Sequence, residues 1–327
     1  MLYSILRRRS AGVGFCAVLL QSGGAFAQAE PNLQIEEVMV TATKRAQSVN
    51  DIPVAVSAYS GESLKNSGIR DVGQLVQVNP TLDFGSSENA AGGSMSIRGM
   101  GTLGTDPGLE SSVGVFIDGV YRNRSGVALD ELGEIERIEV LRGPQGTLFG
   151  RNAAAGVINI IPNQPNMEEL EGFVTAKVGN HRQRRYEGMV NIPLTDTMAI
   201  RANMLTNRLD FYGNNLGPQT TDPYQRDTLA ARLAFRWDIS DKLATQIAYD
   251  YDKVRNGSRA AYGVGTNSNF TDVKDRTIEQ DVMDPGEDRD MHSIIGKLWY
   301  DISDTWAMKL ITSYRPYETY NRQDEDG

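Results

Sequence analysis

The sequence predicts an α+β N-terminal domain followed by antiparallel transmembrane β-barrel strands. Three observations carry this expectation. No run of about 18 apolar residues is present, so any membrane crossing must use strands. Beyond Pro165 apolar and polar residues alternate over strand lengths. The connections between those strands are very short or long, the asymmetry of barrels that cross an outer membrane.

Composition bounds the class. The chain has 327 residues, 40% hydrophobic and 23% charged, enough for two domains and too apolar for wholesale disorder. Arg7, Arg8 and Arg9 precede an apolar run from Ala11 to Leu20, and Ala25-Phe26-Ala27 follows with small residues. This is the pattern of a secretory signal peptide over residues 1–27, cleaved before Gln28. Cys16, the chain's single cysteine, would leave with it, which excludes disulfides and thiolate metal sites from the mature chain. Loss of the three arginines takes the formal charge from −9 to −12, a balance that argues against nucleic acid as a partner. His181 and His292 lack metal-site spacing and read as polar barrel or loop residues. No metal or cofactor is expected. No nucleophile–base constellation stands out, so an enzyme is not expected either.

Residues 28–50 form a polar tail around one strand-forming segment, Glu36 to Thr43, in which valines and threonines alternate. It has no evident hairpin partner beside it, so it suits addition to another protein's sheet edge. An ordinary first strand of the following domain is the other reading.

Residues 51–165 form the α+β domain. Ile52 to Val56 reads as a short strand that starts at a proline. Ser60–Ser67 and Asp71–Val78 read as short helices with Ser60 and Asp71 as N-caps, stopped by Gly68 and by Asn79-Pro80. Val113 to Val120 reads as a strand with a turn at Asp118-Gly119.

Residues 166–327 carry about seven amphipathic strands of roughly ten residues each. Their cores are expected near 171–178, 184–192, 197–207, 228–239, 242–252, 292–302 and 305–316. Leu229, Ala231, Leu233, Phe235 and Trp237 alternate with Ala230, Arg232, Ala234, Arg236 and Asp238. The same alternation puts Glu171 inward with Thr175 and Lys177, and Glu187 inward with Arg185 and Asn191. Trp237, Tyr249, Tyr251, Tyr300, Trp306 and Tyr314 recur near strand ends, as in an interfacial girdle.

The most specific stretch runs from Ile135 to Ile161, IERIEVLRGPQGTLFGRNAAAGVINII. A strand breaks at Gly143-Pro144 and the stretch ends in the buried-type run Val157-Ile158-Asn159-Ile160-Ile161. It lacks the spacing and the lysine of a phosphate-binding loop. Together with IPVAVSAYSGE, MSIRGMG and VGVFIDGVYRNRS in the same order, it resembles the plug-domain core of TonB-dependent outer-membrane receptors. EEVMVTAT resembles that family's TonB box.

The resemblance implies a plug domain inside a barrel of about 22 strands in the outer membrane, of which this chain holds only part. It implies that Glu37, Val38, Met39, Val40, Thr41, Ala42 and Thr43 pair with TonB, which transmits work from ExbB and ExbD. It implies an Arg98–Arg142 pair on the plug locked to barrel carboxylates, with Glu171 and Glu187 as the candidates. It places ligand contacts at the plug apices, with Ser86, Glu88, Asn89, Thr105 and Asp106 as candidates. The implied partners are outer-membrane lipid and a small ligand, an iron–siderophore complex first, taken up by a monomer. Cobalamin, haem, oligosaccharides and plant-derived molecules stay open as substrates. A secreted ligand-binding module and a passive porin are the rival classes. The lipid-type strand face argues against the first and the plug signature against the second.

The sequence departs from the family's pattern in strand number and in its end, where Gly327 stands instead of a terminal aromatic. The expectation is a fragment of a longer receptor or a truncated product that does not close a transport-competent barrel alone. Its C-terminal tail reads as the start of an extracellular loop. The N-terminal extension reads as too short for an additional periplasmic signalling domain.

Overall fold

Two sheets of opposite character organise the chain, one buried on both faces and one apolar on its outside. The computed structural model describes residues 39–41, 44–45, 47–85, 94–102, 110–123, 133–210, 214–215, 226–257, 277–278 and 286–322. The signal-peptide expectation lies outside the described residues.

The first strands are β1 (Met39–Val40) and β2 (Gln47–Ser48), paired antiparallel. This corrects the expectation of a segment without a hairpin partner. The chain folds back because Lys44 adopts φ 64° and donates its N–H to the Thr41 carbonyl at 2.8 Å. A non-glycine residue in that conformation gives no sequence signal of a turn.

β3 (Ala55–Ser60) follows, then α1 (Gly61–Asn66) and a 3-10 turn over Val72–Gln77. Both helical turns begin at the expected caps. Ser60 Oγ accepts from Ser63 N–H at 3.1 Å, and Asp71 Oδ1 from Gln74 N–H at 2.9 Å. β4 (Leu82–Gly85), β5 (Ser94–Ile97) and β6 (Met100–Thr102) make a small antiparallel sheet. β7 (Val113–Ile117) and β8 (Val120–Arg122) form a hairpin across Asp118-Gly119. The two corner residues have φ 57° and 84°, as a two-residue type I′ turn requires.

β9 (Ile135–Arg142) leads through the four-residue helix α2 (Gly146–Phe149) to β10 (Gly156–Pro162). The plug sheet runs β3-β9-β10-β7-β8, with β10 antiparallel to β9 and parallel to β7. A central strand covered on both faces reads as a near-continuous apolar run, which explains Val157 to Ile161 with Asn159 as its one buried polar residue. Leu64, Val72, Leu75, Ile97, Ile138 and Ile158 fill one face. Val40, Ile52, Phe116, Leu141, Phe149 and Val157 fill the other.

The second sheet is the barrel wall. It contains β11 (Glu171–Val178), β12 (Arg184–Thr195) and β13 (Met198–Leu209). A two-residue strand, β14 (Asn214–Asn215), precedes β15 (Arg226–Ser240) and β16 (Leu243–Gly257). Another, β17 (Thr277–Ile278), pairs with β14 within the long connections. β18 (Gly286–Ser303), β19 (Trp306–Tyr314) and β20 (Tyr317–Arg322) complete it. The last expected strand is therefore divided. Pro316, which has no N–H, separates β19 from β20, and its carbonyl accepts from His292 N–H at 3.1 Å. Both pieces pair with β18, and the loop expected from Gln323 onward lies outside the described residues.

The wall's outer face is apolar. Val174, Met204, Leu233, Ile247, Ile294 and Leu310 are all exposed there, Val174 at 86%. Trp237, Tyr300 and Trp306 edge this belt beside the two-residue turns, and Tyr249 with Tyr251 toward the other end. Tyr300 and His292, eight positions apart on β18, are about 26 Å apart along the strand, close to the height of an outer-membrane apolar band. His292 lies at its rim, its Nδ1 2.7 Å from Tyr249 Oη, while His181 occupies the β11–β12 turn.

Candidate functional site

Of segment 37–43, residues 39–41 are seated at the end of the wall that carries the two-residue turns, the periplasmic end of such a barrel. Glu37, Val38, Ala42 and Thr43 lie outside the described residues. Met39 is half exposed, whereas Val40 is fully buried against Leu141, Phe149 and Val157. Thr41 N–H donates to Glu139 Oε1 at 2.7 Å, and its hydroxyl reaches the same oxygen at 3.2 Å. Glu139 is itself fully buried. It also accepts from Arg137 Nε at 2.9 Å and from Asn159 Nδ2 at 3.1 Å, so its lone pairs are satisfied. Lys44 places its ammonium 3.9 Å from the centre of the Phe149 ring. One buried side chain, one charged acceptor and the Lys44 ammonium over the Phe149 and Phe116 rings thus hold a short segment that has little sheet pairing of its own.

A second group of residues joins plug to wall. Asp118, at the tip of the β7–β8 hairpin, meets Arg232 Nη2 at 2.5 Å and also pairs with Lys297 Nζ. Arg232 continues to Asp250 at 2.7 Å. Asp118 is only 3% exposed at its side chain. Burial alone would push its pKa up, but the adjacent Arg232 and Lys297 charges outweigh this and hold it below the ordinary aspartate value. Gly119 lies close against the wall, where an added Cβ would stand 2.7 Å from Ile311 Cδ1 and make that side chain shift.

Nearer the periplasmic end, Glu134 takes a fork from Arg201. Nε donates to Oε2 at 2.9 Å and Nη2 pairs with Oε1. Arg201 Nη1 also reaches Glu171 at 3.3 Å. Two further hydrogen bonds complete the seam: Gln246 Nε2 donates to Gln164 Oε1 at 2.7 Å, and the Arg315 guanidinium Nη2 to the Tyr121 carbonyl at 3.2 Å. Arg122 is buried beside Met291. Burial and the neighbouring Arg315 lower its pKa to about 10, against the pull of Asp250 and Asp252.

This seam corrects the expected lock. Glu171 and Glu187 do line the inner face, but wall arginines hold them, Glu171 by Arg201 and Glu187 by Arg185 at 3.4 Å. Among the described residues neither pairs with Arg98 or Arg142. Arg142 shares the side of β9 that carries Ile138 and Val140 into the plug core, and its Nε is buried without a partner among the described residues. Arg98 forms the first corner of the β5–β6 turn at φ 55°. The observed polarity is reversed: the plug supplies the carboxylates Asp118 and Glu134, and the wall supplies the cations.

Sequence reading missed Asp118, Glu134, Glu139, Arg201, Arg232 and Lys297. Alternation alone places Arg201 and Arg232 on the inner face, and that signal was available. Ser86, Glu88, Asn89, Thr105 and Asp106 lie outside the described residues.

Residues 48–157 match the family model described as TonB-dependent Receptor Plug Domain. The pesticin receptor of Yersinia pestis is 26% identical over 302 residues, covering 89% of this chain and 42% of that protein. The ferric enterobactin receptor PirA of Pseudomonas aeruginosa is 30% identical over 274 residues, covering 74% of this chain and 36% of that one. The crystal structure of the ferric yersiniabactin uptake receptor FyuA from Yersinia pestis superposes with a TM-score of 0.71 at 24% identity, over 86% of this chain and 43% of that chain. The chain therefore spans less than half the length of these relatives, which are receptors rather than enzymes. A plug domain docked by buried ion pairs against a lipid-faced antiparallel wall makes this chain a member of the TonB-dependent outer-membrane receptors, of which it carries the plug and a run of barrel-wall strands.

Proposed function

We propose that the chain is the plug-bearing part of a receptor for active uptake of a scarce ligand across the outer membrane, an iron–siderophore complex in the first instance. The observation that carries this reading is the seating of residues 39–41. A strand-forming segment sits at the periplasmic end on Glu139 and a single buried valine, where a partner sheet can compete for its backbone. In this reading segment 37–43 pairs with TonB, and ExbB and ExbD supply the work. Ligand binding on the far side loosens the segment. No bond in the substrate is made or broken. The names of the relatives, receptors for ferric enterobactin and ferric yersiniabactin among them, support iron chelates as the ligand class.

The test uses cells that depend on the native gene for radioactive iron uptake from a siderophore. Val40→Pro removes the backbone N–H and the fixed strand geometry that pairing needs. The reading expects chelate binding to persist and uptake to vanish. Undiminished uptake with Val40→Pro overturns it.

A further inference from the structure

A cavity of about 500 Å³ lies between plug and wall at the periplasmic end. Its wall side is formed by Arg236, Lys297, Trp299 and Lys309, and segment residues Thr41 and Lys44 close it on the plug side. With Arg137 it is lined by five cations against two carboxylates, Asp118 and Glu136.

The carboxylates are committed. Asp118 is taken by Arg232 and Lys297, and Glu136 by Arg137, while Arg236 is paired outside the cavity lining with Asp238 at 3.0 Å. Among the described residues Lys44 and Lys309 have no carboxylate partner. Their charges oppose each other: burial, then the neighbouring Lys309, lowers the pKa of Lys44, and Glu139 only partly restores it. Three cations also gather on one ring. Lys309, Arg236 and Lys297 stand 5.6, 5.9 and 5.9 Å from the Trp299 centroid. Trp299 is the inward-facing tryptophan of the wall, since Trp237 and Trp306 face lipid. Unbalanced cations around an aromatic floor match a small ligand that carries several anionic oxygens and a flat or apolar body.

We propose that this cavity is a second, periplasm-side holding site for a multiply anionic ligand, closed by the partner-binding segment itself. This rests on the uptake reading and names its substrate class: a chelate bearing carboxylate, catecholate or phosphate oxygens. Withdrawal of residues 39–44 removes Thr41 and Lys44 from the lining, so the pull that opens the site also takes away one of its cations. Release to the periplasm and recruitment of the partner are then one motion.

The test probes the site directly with citrate, three carboxylates on a small frame. The receptor expressed from its native gene is purified in detergent, and citrate is titrated while tryptophan fluorescence is read. The proposal expects a saturable change that is absent in Trp299→Phe. It expects the midpoint to rise at least tenfold in Lys309→Glu and severalfold in Lys309→Gln. Lys309 is exposed on its strand, so neither variant threatens folding, and heat-modifiable migration verifies this. No saturable change, or an unmoved midpoint in Lys309→Glu, overturns the proposal. The assay contains neither TonB nor iron. A receptor that binds citrate here yet imports no chelate keeps the site and loses the uptake reading, and the converse result separates them the other way.

Discussion

Asp118 of the plug and Arg232 of the wall meet at 2.5 Å although 114 positions separate them in the chain. Both are buried, so the pair sits where an unmatched charge is costly. Asp118→Asn keeps the shape and removes the charge, leaving Arg232 and Lys297 facing a neutral amide. The expected cost to plug seating is about 3–5 kcal/mol. Denaturant melts of the plug against the wall measure it, and a loss under about 1 kcal/mol contradicts the buried-pair account.

The same carboxylate sets an acid limit. Its pKa in the folded protein is below the ordinary value of 3.8, so its contribution is fully present above that value and is lost as pH falls through the lower folded pKa. Limited proteolysis of the plug between pH 6 and pH 2 is expected to accelerate below about pH 4. In Asp118→Asn this acid-dependent step is expected to shrink.

Much of this architecture is legible in the sequence, and the seam is not, for a physical reason. Strand alternation is local, so the inner and outer faces of β13, β15 and β19 follow from residues two apart. The caps Ser60 and Asp71 and the Asp118-Gly119 turn are local too. Ion-pair partners are not. Glu134 and Arg201 are 67 positions apart, and Lys297 and Asp118 are 179 apart. Turn chemistry alone already accounts for an aspartate at position 118, which hides its second role. Arg98 misled in the opposite sense, because its motif suggested an ion-pair partner while its backbone is a turn corner. β1 and β2 span two residues each, too few for a period to register.

Glu139 is expected to govern how firmly the partner segment is held. Glu139→Gln weakens charge-assisted acceptance from Thr41 and Arg137. Such a bond contributes about 1.5–3 kcal/mol, so hydrogen exchange at the Thr41 amide is expected to quicken by roughly tenfold or more. Unchanged exchange would place the hold in Val40 instead.

Gly156 and Gly146 form an internal contrast. A Cβ on Gly156 would stand 2.3 Å from the Leu141 carbonyl oxygen and 2.6 Å from Ile97 Cδ1, whereas one on Gly146 meets nothing within 4 Å. Gly156→Ala is expected to split the β9–β10 pairing and leave the plug open to protease. Gly146→Ala is expected to be neutral or to stabilise by about 0.5 kcal/mol. Equal protease sensitivity of the two variants would refute the close-approach argument.

Ile247 is 55% exposed on the lipid face, and its strand neighbour Gln246 faces the lumen, 1% exposed. Ile247→Arg is expected to cost about 2–4 kcal/mol near the bilayer midplane. Folding titrations into lipid vesicles measure it, and a negligible cost would show that this face does not meet lipid.

The central claim is that the segment seated on Glu139 is surrendered to TonB. The most direct measurement is disulfide capture in cells, with Thr43→Cys in the receptor and a cysteine in the edge strand of TonB. Cys16, the chain's single cysteine, lies in the expected signal peptide, and the receptor without the added cysteine is the control. The account predicts a covalent receptor–TonB adduct whose yield rises when the ferric chelate is supplied. No adduct with or without chelate, while iron uptake stays intact, would contradict it.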